Sequence, residues 1–463
     1  MRSSLFNYKA FLLCLVGVMF FTQCKNDSPI TSVVVTTTTT LTKESSSDVV
    51  VQWQNLFLEV ERYAAVYRPC PAARMLGYVG LAAYEASVSG MPEYQSLAAR
   101  YAGLSIPSVE SGKAYDYPTV VNAVYGTLFK KFFANVQATD ILKITSLQSS
   151  LDVQTSNKLA SDVFKRSKDF GTAVANAVWD FSATDTYGHD QYLNPRPTTY
   201  TPPTGVGKWA PTPPGNERAM YPYWGKARVF AIQDADKLAK PPITYSEDKT
   251  SAYYAQGLEM YSLTKPQTTE GQWIAEFWSD DVLGFTFSPP SRWIAITSQV
   301  LVQEKSNLET GVLAALKVGL ALNDASVACW NSKFYYNIER PLTYINKFID
   351  PNYTILGNTS TGFLKSTPSF PAYPSGHATF GAAAAEALVG VFGADYSLTD
   401  RCHENRTDFT GSKPRSFNSF YDMAVENAVS RLYLGVHWRM DADEGLRLGY
   451  LAGRRVNALP IKK

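Results

Sequence analysis

Three widely separated segments of this 463-residue chain carry charged and polar residues that can act together only if the fold brings them to one place. The segments read KFYYNIERP, YPSGHATFG and SRLYLGVHWRMDAD. Their candidate donors are Lys333, Arg340, Ser375, Gly376, His377, Arg431 and His437. Cations, a hydroxyl, a glycine amide and two imidazoles are the groups needed to surround a tetrahedral anion such as phosphate or vanadate. The sequence therefore predicts a fold in which the three segments meet around one oxyanion.

The first segment lies at the end of a long apolar run. Lys333 and Arg340 are seven residues apart, which corresponds to two helical turns. They are therefore predicted to lie along one face of a helix that covers GVLAALKVGLALNDASVACWNSKFYYNIE. Pro341 is predicted to end that helix.

The second segment, PSGHATFGAAAAEALVGVF, places Ser375 and Gly376 at the start of an Ala-rich apolar run. Unpaired backbone amides and the positive end of the helix dipole favour an anion at such a position. Gly376 also allows the backbone to come close to a ligand. The sequence predicts that this helix points its N-terminus at the oxyanion.

The third segment does not fit one continuous helix. Arg431 and His437 are six residues apart, about a third of a turn away from a shared helical face. Gly435 is therefore predicted to mark a break that turns His437 towards the anion. Asp441 follows one turn later and is predicted to hold the second ring nitrogen of His437, which fixes the tautomer.

Each element alone has an ordinary interpretation as a solvated helix face, a helix cap or a buried histidine, but all of them occur together and in order. The pattern is Lys, six residues, Arg-Pro; then Pro-Ser-Gly-His; then Ser-Arg, five residues, His, three residues, Asp. It resembles the superfamily shared by type 2 phosphatidic acid phosphatases and vanadium-dependent haloperoxidases. The likeness extends more loosely from about Trp53 to Gly449, and the long N-terminal part resembles the bacterial haloperoxidases.

The resemblance implies a cofactor and a set of roles. Vanadate would be bound through one coordinate bond from His437, with its oxygens held by Lys333, Arg340, Arg431, Ser375 and Gly376. His377 would be the acid-base catalyst that takes a proton from hydrogen peroxide, and Lys333 would polarise the peroxide. Trp330 and Phe370 stand where haloperoxidases place halide-site residues. Hydrogen peroxide and a halide, most favourably iodide and then bromide, are the expected partners.

Two alternatives remain open from the sequence. A periplasmic acid phosphatase would use the same atoms differently, with His437 as the nucleophile that forms a phosphohistidine and His377 protonating the leaving group. A non-catalytic oxyanion-binding lipoprotein is the second alternative, although it would not need two imidazoles. The other histidines, His189 and His403, lie in polar loops and are expected at the surface.

Helical periodicity dominates from about residue 49 onwards and predicts an all-α fold of packed helical bundles. A stretch rich in Pro, Gly and aromatic residues, from His189 to AKPPITY, is expected to wrap the helical body or cover the site. The predicted regions are a signal peptide at 1–23, a Thr/Ser-rich tether at 24–48, an N-terminal helical region with the Pro-rich wrap at 49–245, and a C-terminal helical region with the site at 246–460.

The N-terminus indicates export. Arg2 and Lys9 precede an apolar run at 11–21 that suits a signal peptide, and Cys24 resembles the acylated cysteine of a bacterial lipoprotein. A lipid anchor is thus the expected membrane contact, with ordinary cleavage and secretion as the alternative. Cys70, Cys329 and Cys402 have no spacing typical of a disulfide framework or a zinc site.

The remaining composition excludes two further classes of protein. A net charge of +2, with no basic stripe interleaved with aromatic residues, argues against a nucleic-acid binder. After the leader, no uninterrupted apolar span of 20 residues is expected. The best candidate is the stretch TFGAAAAEALVGVF, which contains Glu386. This argues against the integral-membrane phosphatases.

Overall fold

The computed structural model describes residues 38–213, 215–356, 367–407 and 410–463, which belong to one compact unit. The predicted signal peptide, Cys24 and most of the predicted tether lie outside the described residues. The boundary between regions 49–245 and 246–460 stays a prediction.

The described ranges contain thirteen α-helices and one small two-stranded sheet, so the all-α prediction is confirmed. The helices are α1 Asp48–Glu61, α2 Cys70–Ser87, α3 Tyr117–Phe132, α4 Ala138–Ser156, α5 Ser161–Ala183, α6 Ala252–Thr264, α7 Thr269–Phe277, α8 Pro289–Gln303, α9 Leu308–Tyr336, α10 Pro341–Phe348, α11 Gly376–Phe392, α12 Phe420–Tyr433 and α13 Arg439–Asn457. The strands β1 Leu398–Asp400 and β2 Arg415–Phe417 pair antiparallel, with Leu398 opposite Phe417.

Helix α9 is the central element, and it packs against α2, α8, α11 and α13. Its backbone approaches α2 so closely that a Cβ atom at Gly80 would collide with the Ala315 carbonyl oxygen. Helix α9 is long and apolar enough to cross a membrane, but 94% of its most apolar window is buried inside the protein. Helix α9 is not an uninterrupted apolar span, since it carries Lys317 and Asp324, and its composition is that of a core helix.

The end of α9 differs from the prediction. The helix ends at Tyr336, and Asn337 adopts the left-handed conformation at φ 51° while donating its backbone N–H to the Lys333 carbonyl. Asparagine tolerates this conformation, which closes helices. Arg340 then precedes α10 as its N-cap, and Pro341 is the first residue of α10. The prediction of one shared helical face was wrong, since this proline begins a helix where a missing N–H costs nothing.

The Pro-rich stretch wraps the helical body, as predicted. The Trp209 N–H donates to the Asn337 carbonyl at 2.8 Å, just beyond the end of α9. Further along, three consecutive backbone N–H groups at 230–232 donate to the carboxylate of Asp324, a buried residue of α9. The Lys240 N–H donates to Glu444 of α13 at 2.7 Å. The wrap is therefore fixed to both helices that flank the predicted site.

Candidate oxyanion site

Helix α11 begins at the predicted Ser-Gly pair. Ser375 is its N-cap, and the Ser375 hydroxyl accepts a hydrogen bond from the Ala378 N–H at 3.4 Å. The Ser375 N–H donates to the Asp441 carbonyl at 2.8 Å, which ties this helix start to α13. Gly376 is the first helical residue, and a Cβ atom there would lie 3.5 Å from the Trp330 ring. The helix start is buried and carries the positive end of the helix dipole.

Lys333 is fully buried and holds three backbone carbonyls. Its ammonium donates to the carbonyls of Pro371 at 2.9 Å, Ala372 at 2.9 Å and Pro374 at 2.6 Å. Burial lowers the pKa of Lys333 to about 8. Because an ammonium has three donors, all of its hydrogen bonds are used by the segment that leads into Ser375. Lys333 therefore fixes this segment and adds positive charge to the site.

Arg340 forms hydrogen bonds to two segments of the site, one at Phe370 and one at Val436. Its guanidinium donates to the Phe370 carbonyl through Nε at 3.1 Å and Nη2 at 2.9 Å, and to the Val436 carbonyl through Nη1 at 2.9 Å. The same Nη1 lies 3.2 Å from Nε2 of His437. Burial lowers the pKa of Arg340. Even so, arginine remains protonated at neutral pH. Arg340 thus contributes a fixed cation next to His437.

The break at Gly435 is confirmed. Helix α12 ends at Tyr433, Gly435 has φ +80°, and α13 begins at Arg439, so His437 lies in the turn between them. His437 Nδ1 lies 2.8 Å from Asp441 Oδ2, as predicted from their spacing. The Trp438 N–H also donates to this carboxylate oxygen at 3.0 Å.

These contacts fix the tautomer of His437. A guanidinium can only donate, so His437 Nε2 accepts from Arg340 and carries a lone pair, while the proton lies on the Nδ1 side that faces Asp441. Burial, followed by the charges of Arg340 and Lys333, holds the pKa of His437 well below its usual value. The ring is therefore neutral and presents a lone pair inside a positively charged pocket.

His377 projects from the first turn of α11 and has a nitrogen available. The backbone of Asp280 lies beside its ring, and among the described residues the buried Nε2 has no hydrogen-bond partner. Burial and the charges of Arg431, Lys333 and Arg340 hold the pKa of His377 well below its usual value. A neutral imidazole with a free nitrogen can accept or deliver a proton.

Arg431 is the third cation of the site, after Lys333 and Arg340. Its Nη1 donates to the Trp278 carbonyl at 2.8 Å, and its buried Nε has no partner in the described part of the chain. Burial lowers the pKa of Arg431, and the nearby carboxylates of Asp280 and Asp281 oppose this shift. One N–H of this guanidinium therefore remains available to a ligand.

The segment 277–281 is a part of the site that sequence reasoning missed. It supplies the backbone contacts to Arg431 and His377 and the acidic groups beside Arg431. Asp281 has φ +82°, which is unusual for a residue other than glycine. The available signal was the pair of acidic residues directly after a buried aromatic run in EFWSDD.

Trp330 and Phe370 form an aromatic wall. Their ring centroids are 5.0 Å apart at 54°, and the Lys333 ammonium lies 5.8 Å and 5.1 Å from the two rings. The Trp330 Nε1–H donates to the Met220 carbonyl in the Pro-rich wrap at 3.3 Å. The structure therefore brings both predicted halide-site residues next to the cations.

The remaining histidines and cysteines lie elsewhere. His189 is half-buried, whereas His403 is buried, stacks on Phe287 at 4.9 Å and lies 2.9 Å from Arg292 through Nε2. The prediction of a surface position was wrong for His403, because an aromatic ring and a cation enclose it. Cys70, Cys329 and Cys402 are free thiols in the described part of the chain.

All seven predicted donors thus lie near one buried point, and their chemistry fits a tetrahedral oxyanion with one coordinate bond. Positive charge comes from Lys333, Arg340 and Arg431, and the lone pair comes from His437. The unpartnered Nε2 of His377 and Nε of Arg431 are buried polar atoms of the kind that a bound group satisfies.

Comparisons with known proteins point to the vanadium haloperoxidases. The family model described as the VCPO second helical-bundle domain matches residues 314–460. A solved bacterial vanadium-dependent iodoperoxidase superposes with a TM-score of 0.78 at 28% identity, covering 90% of this chain and 98% of that one. Over most of its length the chain is therefore similar to the vanadium haloperoxidases. A bacterial vanadium-dependent chloroperoxidase shares this fold. It superposes with a TM-score of 0.62 at 16% identity, covering 85% of this chain and 92% of that one.

Two curated haloperoxidases match over shorter ranges. Vanadium chloroperoxidase of Curvularia inaequalis is 28% identical over 283 residues, which are 48% of this chain and 46% of that protein. Vanadium-dependent bromoperoxidase of Ascophyllum nodosum is 32% identical over 113 residues, 23% of this chain and 20% of that protein. The chain thus spans less than half the length of these curated relatives.

The matched haloperoxidase domain contains all seven donors, whereas the segment 277–281 lies before its first residue. Because the segment 277–281 lies outside the matched domain, the motifs revealed the seven donors and not this segment.

Proposed function

We propose that the chain is a vanadium-dependent haloperoxidase, an enzyme that uses hydrogen peroxide to oxidise a halide to hypohalous acid. The observation that carries the proposal is the fixed tautomer of His437. Its Nδ1 side is held by Asp441, so its Nε2 lone pair is presented among the buried cations Lys333, Arg340 and Arg431.

The residues that would hold vanadate follow from their available groups. His437 Nε2 would provide the coordinate bond in place of its hydrogen bond from Arg340. The Arg340 N–H released in this way, the Ser375 hydroxyl, the Gly376 amide and Arg431 Nε would donate to oxygens. When bound, vanadate supplies a Lewis acid that does not change its oxidation state. Arg340 and Lys333 stabilise the negative charge mainly as fixed cations, since most of their N–H groups already donate to backbone carbonyls.

His377 is assigned the proton transfer. Its Nε2 is buried, unpartnered within the described residues and unprotonated at neutral pH, because burial and three cations lower its pKa. Such a nitrogen takes a proton from hydrogen peroxide, and the surrounding cations favour its later release. The Asp280 backbone beside the ring opposes this lowering of the pKa of His377.

Iodide is the proposed preferred halide, with bromide weak and chloride absent. Trp330 and Phe370 line the site beside Lys333 with polarisable aromatic surface, and iodide is the easiest of these halides to oxidise. The iodoperoxidase that is similar over most of this chain supports iodide as a substrate, whereas the places of bromide and chloride rest on the ease of oxidation alone.

The test measures peroxide-dependent oxidation of iodide, bromide and chloride by protein supplied with vanadate. Trp330→Phe and Phe370→Leu should shift the iodide-to-bromide ratio more than the vanadium content. Trp53→Phe is the matched control, since it alters a buried tryptophan that bonds to Asn122 outside the site. Strong chlorination would contradict the halide order. Phosphate-ester hydrolysis without any halide oxidation would favour a phosphatase instead.

We further propose that the protein is exported and anchored by lipid on Cys24. Support comes from Arg2 and Lys9, the apolar run at 11–21, and the Thr/Ser-rich stretch that follows. Cys24→Ser should release the protein from membranes, while Cys14→Ser, within the apolar run, should not. Membrane association that is unchanged in Cys24→Ser would contradict the anchor.

A further inference from the structure

Two side chains of the site, those of His377 and Arg431, contact the backbone of one short segment. In the segment 277–281, the Trp278 carbonyl accepts from Arg431 at 2.8 Å, and the Asp280 backbone lies close enough to the His377 ring to raise its pKa. Because both contacts use backbone atoms, the positions of Arg431 and His377 depend on the conformation of the segment. Whatever fixes the segment also fixes these two side chains.

Arg292 of α8 contacts this segment from outside the site. Its Nη1 donates to the Phe277 carbonyl at 3.1 Å and lies 3.4 Å from Asp280 Oδ1. Its guanidinium carbon lies 4.4 Å from the Phe277 ring and 4.5 Å from the Trp278 ring. Hydrogen bonds and cation–π contacts thus hold both ends of the stretch that bears the two backbone contacts.

Arg292 is itself held in one orientation. It is fully buried, its Nε donates to Asp400 Oδ2 at 3.2 Å, and its Nη2 lies 3.0 Å from the same oxygen. The other oxygen of Asp400 accepts from Gln299 and from the Cys402 N–H. With His403 Nε2 2.9 Å from Nη1 as well, these contacts hold the guanidinium against the segment.

We infer that Arg292 is a positioning residue for His377 and Arg431, acting through the segment 277–281. The inference rests on the proposed function only for its kinetic readout, because the geometry of the site can be measured without turnover. The competing view is that Arg292 only stabilises the fold, and this view predicts no selective effect on His377.

Arg74 provides a matched control. It is buried, its Nε lies 3.1 Å from Asp185 Oδ2, it donates to the Ser182 carbonyl at 2.7 Å, and it packs over the Tyr78 ring at 4.6 Å. Arg74 therefore has the same kinds of partner as Arg292, and none of these partners belongs to the site. Its charge acts on His189.

The experiment compares Arg292→Lys with Arg74→Lys in the full chain. The sequence has four histidines, so ¹³C-labelled histidine gives four ring signals that single substitutions can assign. Arg292→Lys should shift the signals of His377 and of its direct neighbour His403, and leave those of His437 and His189 in place. Arg74→Lys should shift only His189.

Binding and turnover give independent readouts. In Arg292→Lys, the affinity for inorganic phosphate should fall by about 10-fold, the lower end of the range for residues that orient ligands of a metal site. Turnover of iodide should fall by about 10- to 100-fold, while the KM for iodide should stay within about two-fold of the wild-type value. Arg74→Lys should change neither.

Asp400→Asn keeps the side-chain shape and removes the charge that orients Arg292, so it is the second variant if Arg292→Lys does not fold. It should shift the same His377 signal by a smaller amount. An unchanged His377 signal and phosphate affinity in the folded variant would overturn the inference, as would equal effects of Arg74→Lys. If wild-type protein does not oxidise halides, the proposed function fails, while the ring signals and phosphate binding still decide the role of Arg292.

Discussion

The two sides of the site differ in how their hydrogen bonds are used. On one side, Lys333 and Arg340 donate to backbone carbonyls, and both nitrogens of His437 have partners. On the other side, His377 Nε2 and Arg431 Nε are buried without a partner in the described part of the chain. We refer to these as the bonded side and the open side.

The difference indicates that the two sides of the site have different roles. A buried polar group without a partner costs free energy, so such groups persist mainly where a ligand or a reaction uses them. Groups whose bonds are already made keep fixed positions and act through charge and geometry. We therefore assign proton transfer to His377 on the open side, and ligand retention to the bonded side together with Arg431.

The largest expected effect is on the bonded side. His437→Ala removes the lone pair that would coordinate vanadium, so vanadium retention and halide oxidation should both be lost. Vanadium content of dialysed protein and iodide oxidation measure this directly. His189→Ala, which alters a histidine outside the site, should retain both, and a vanadium-loaded His437→Ala protein would contradict the assignment.

On the open side, a single change should separate binding from turnover. His377→Ala should keep vanadate and lose on the order of 10²-fold or more in rate, the usual scale for a general acid-base group. Vanadium content and initial rates on the same sample provide the measurement. If vanadium and activity disappear together, His377 belongs functionally to the bonded side.

Lys333 tests whether the bonded side acts through charge. Because burial lowers its pKa to about 8, the ammonium is charged below that pH and loses its charge as pH rises through it. Lys333→Met should weaken phosphate binding by roughly 10- to 100-fold at pH 6.5, as for a lost charged partner, and the wild-type-to-variant ratio should shrink above pH 8.

Comparison at each pH cancels the titration of phosphate itself. Lys317→Met is the control, since Lys317 is a buried lysine of the same helix that donates to the Gly390 carbonyl. A wild-type-to-variant ratio that does not change with pH would show that the charge of Lys333 is not the relevant property.

The smallest effect is expected at Asp441. Asp441→Asn keeps the side-chain shape and can still accept from His437, so vanadate affinity should fall by only about 10-fold, the low end for such supporting residues. Asp443→Asn, a change of an exposed carboxylate on the same helix, should have no effect. Complete loss of vanadate in Asp441→Asn would mean that the negative charge, and not the tautomer, is decisive.

The bonded side and the helix start were predictable because side chains at fixed spacing define them. Ser375, Gly376, the break at Gly435 and the pairing of His437 with Asp441 follow from the sequence. The position of Arg340 as the N-cap of α10 could not be predicted, because the left-handed conformation of Asn337 ends α9 three residues before Arg340.

The supports of the open side were not predictable from motifs. Trp278 and Asp280 contact Arg431 and His377 through backbone atoms, which leave no side-chain signature. His403 was placed at the surface because its neighbours in sequence are polar, whereas the fold encloses it between Phe287 and Arg292. Contacts of this kind depend on packing between distant segments and not on local pattern.

The most direct measurement is a titration of vanadium-free wild-type protein with vanadate, followed by peroxide-dependent oxidation of iodide. We expect activity to be absent at the start, to rise with vanadate to a plateau near one vanadate per chain, and to be suppressed competitively by phosphate. Activity that is present without vanadate, or that stays absent at saturating vanadate, would contradict the proposed function.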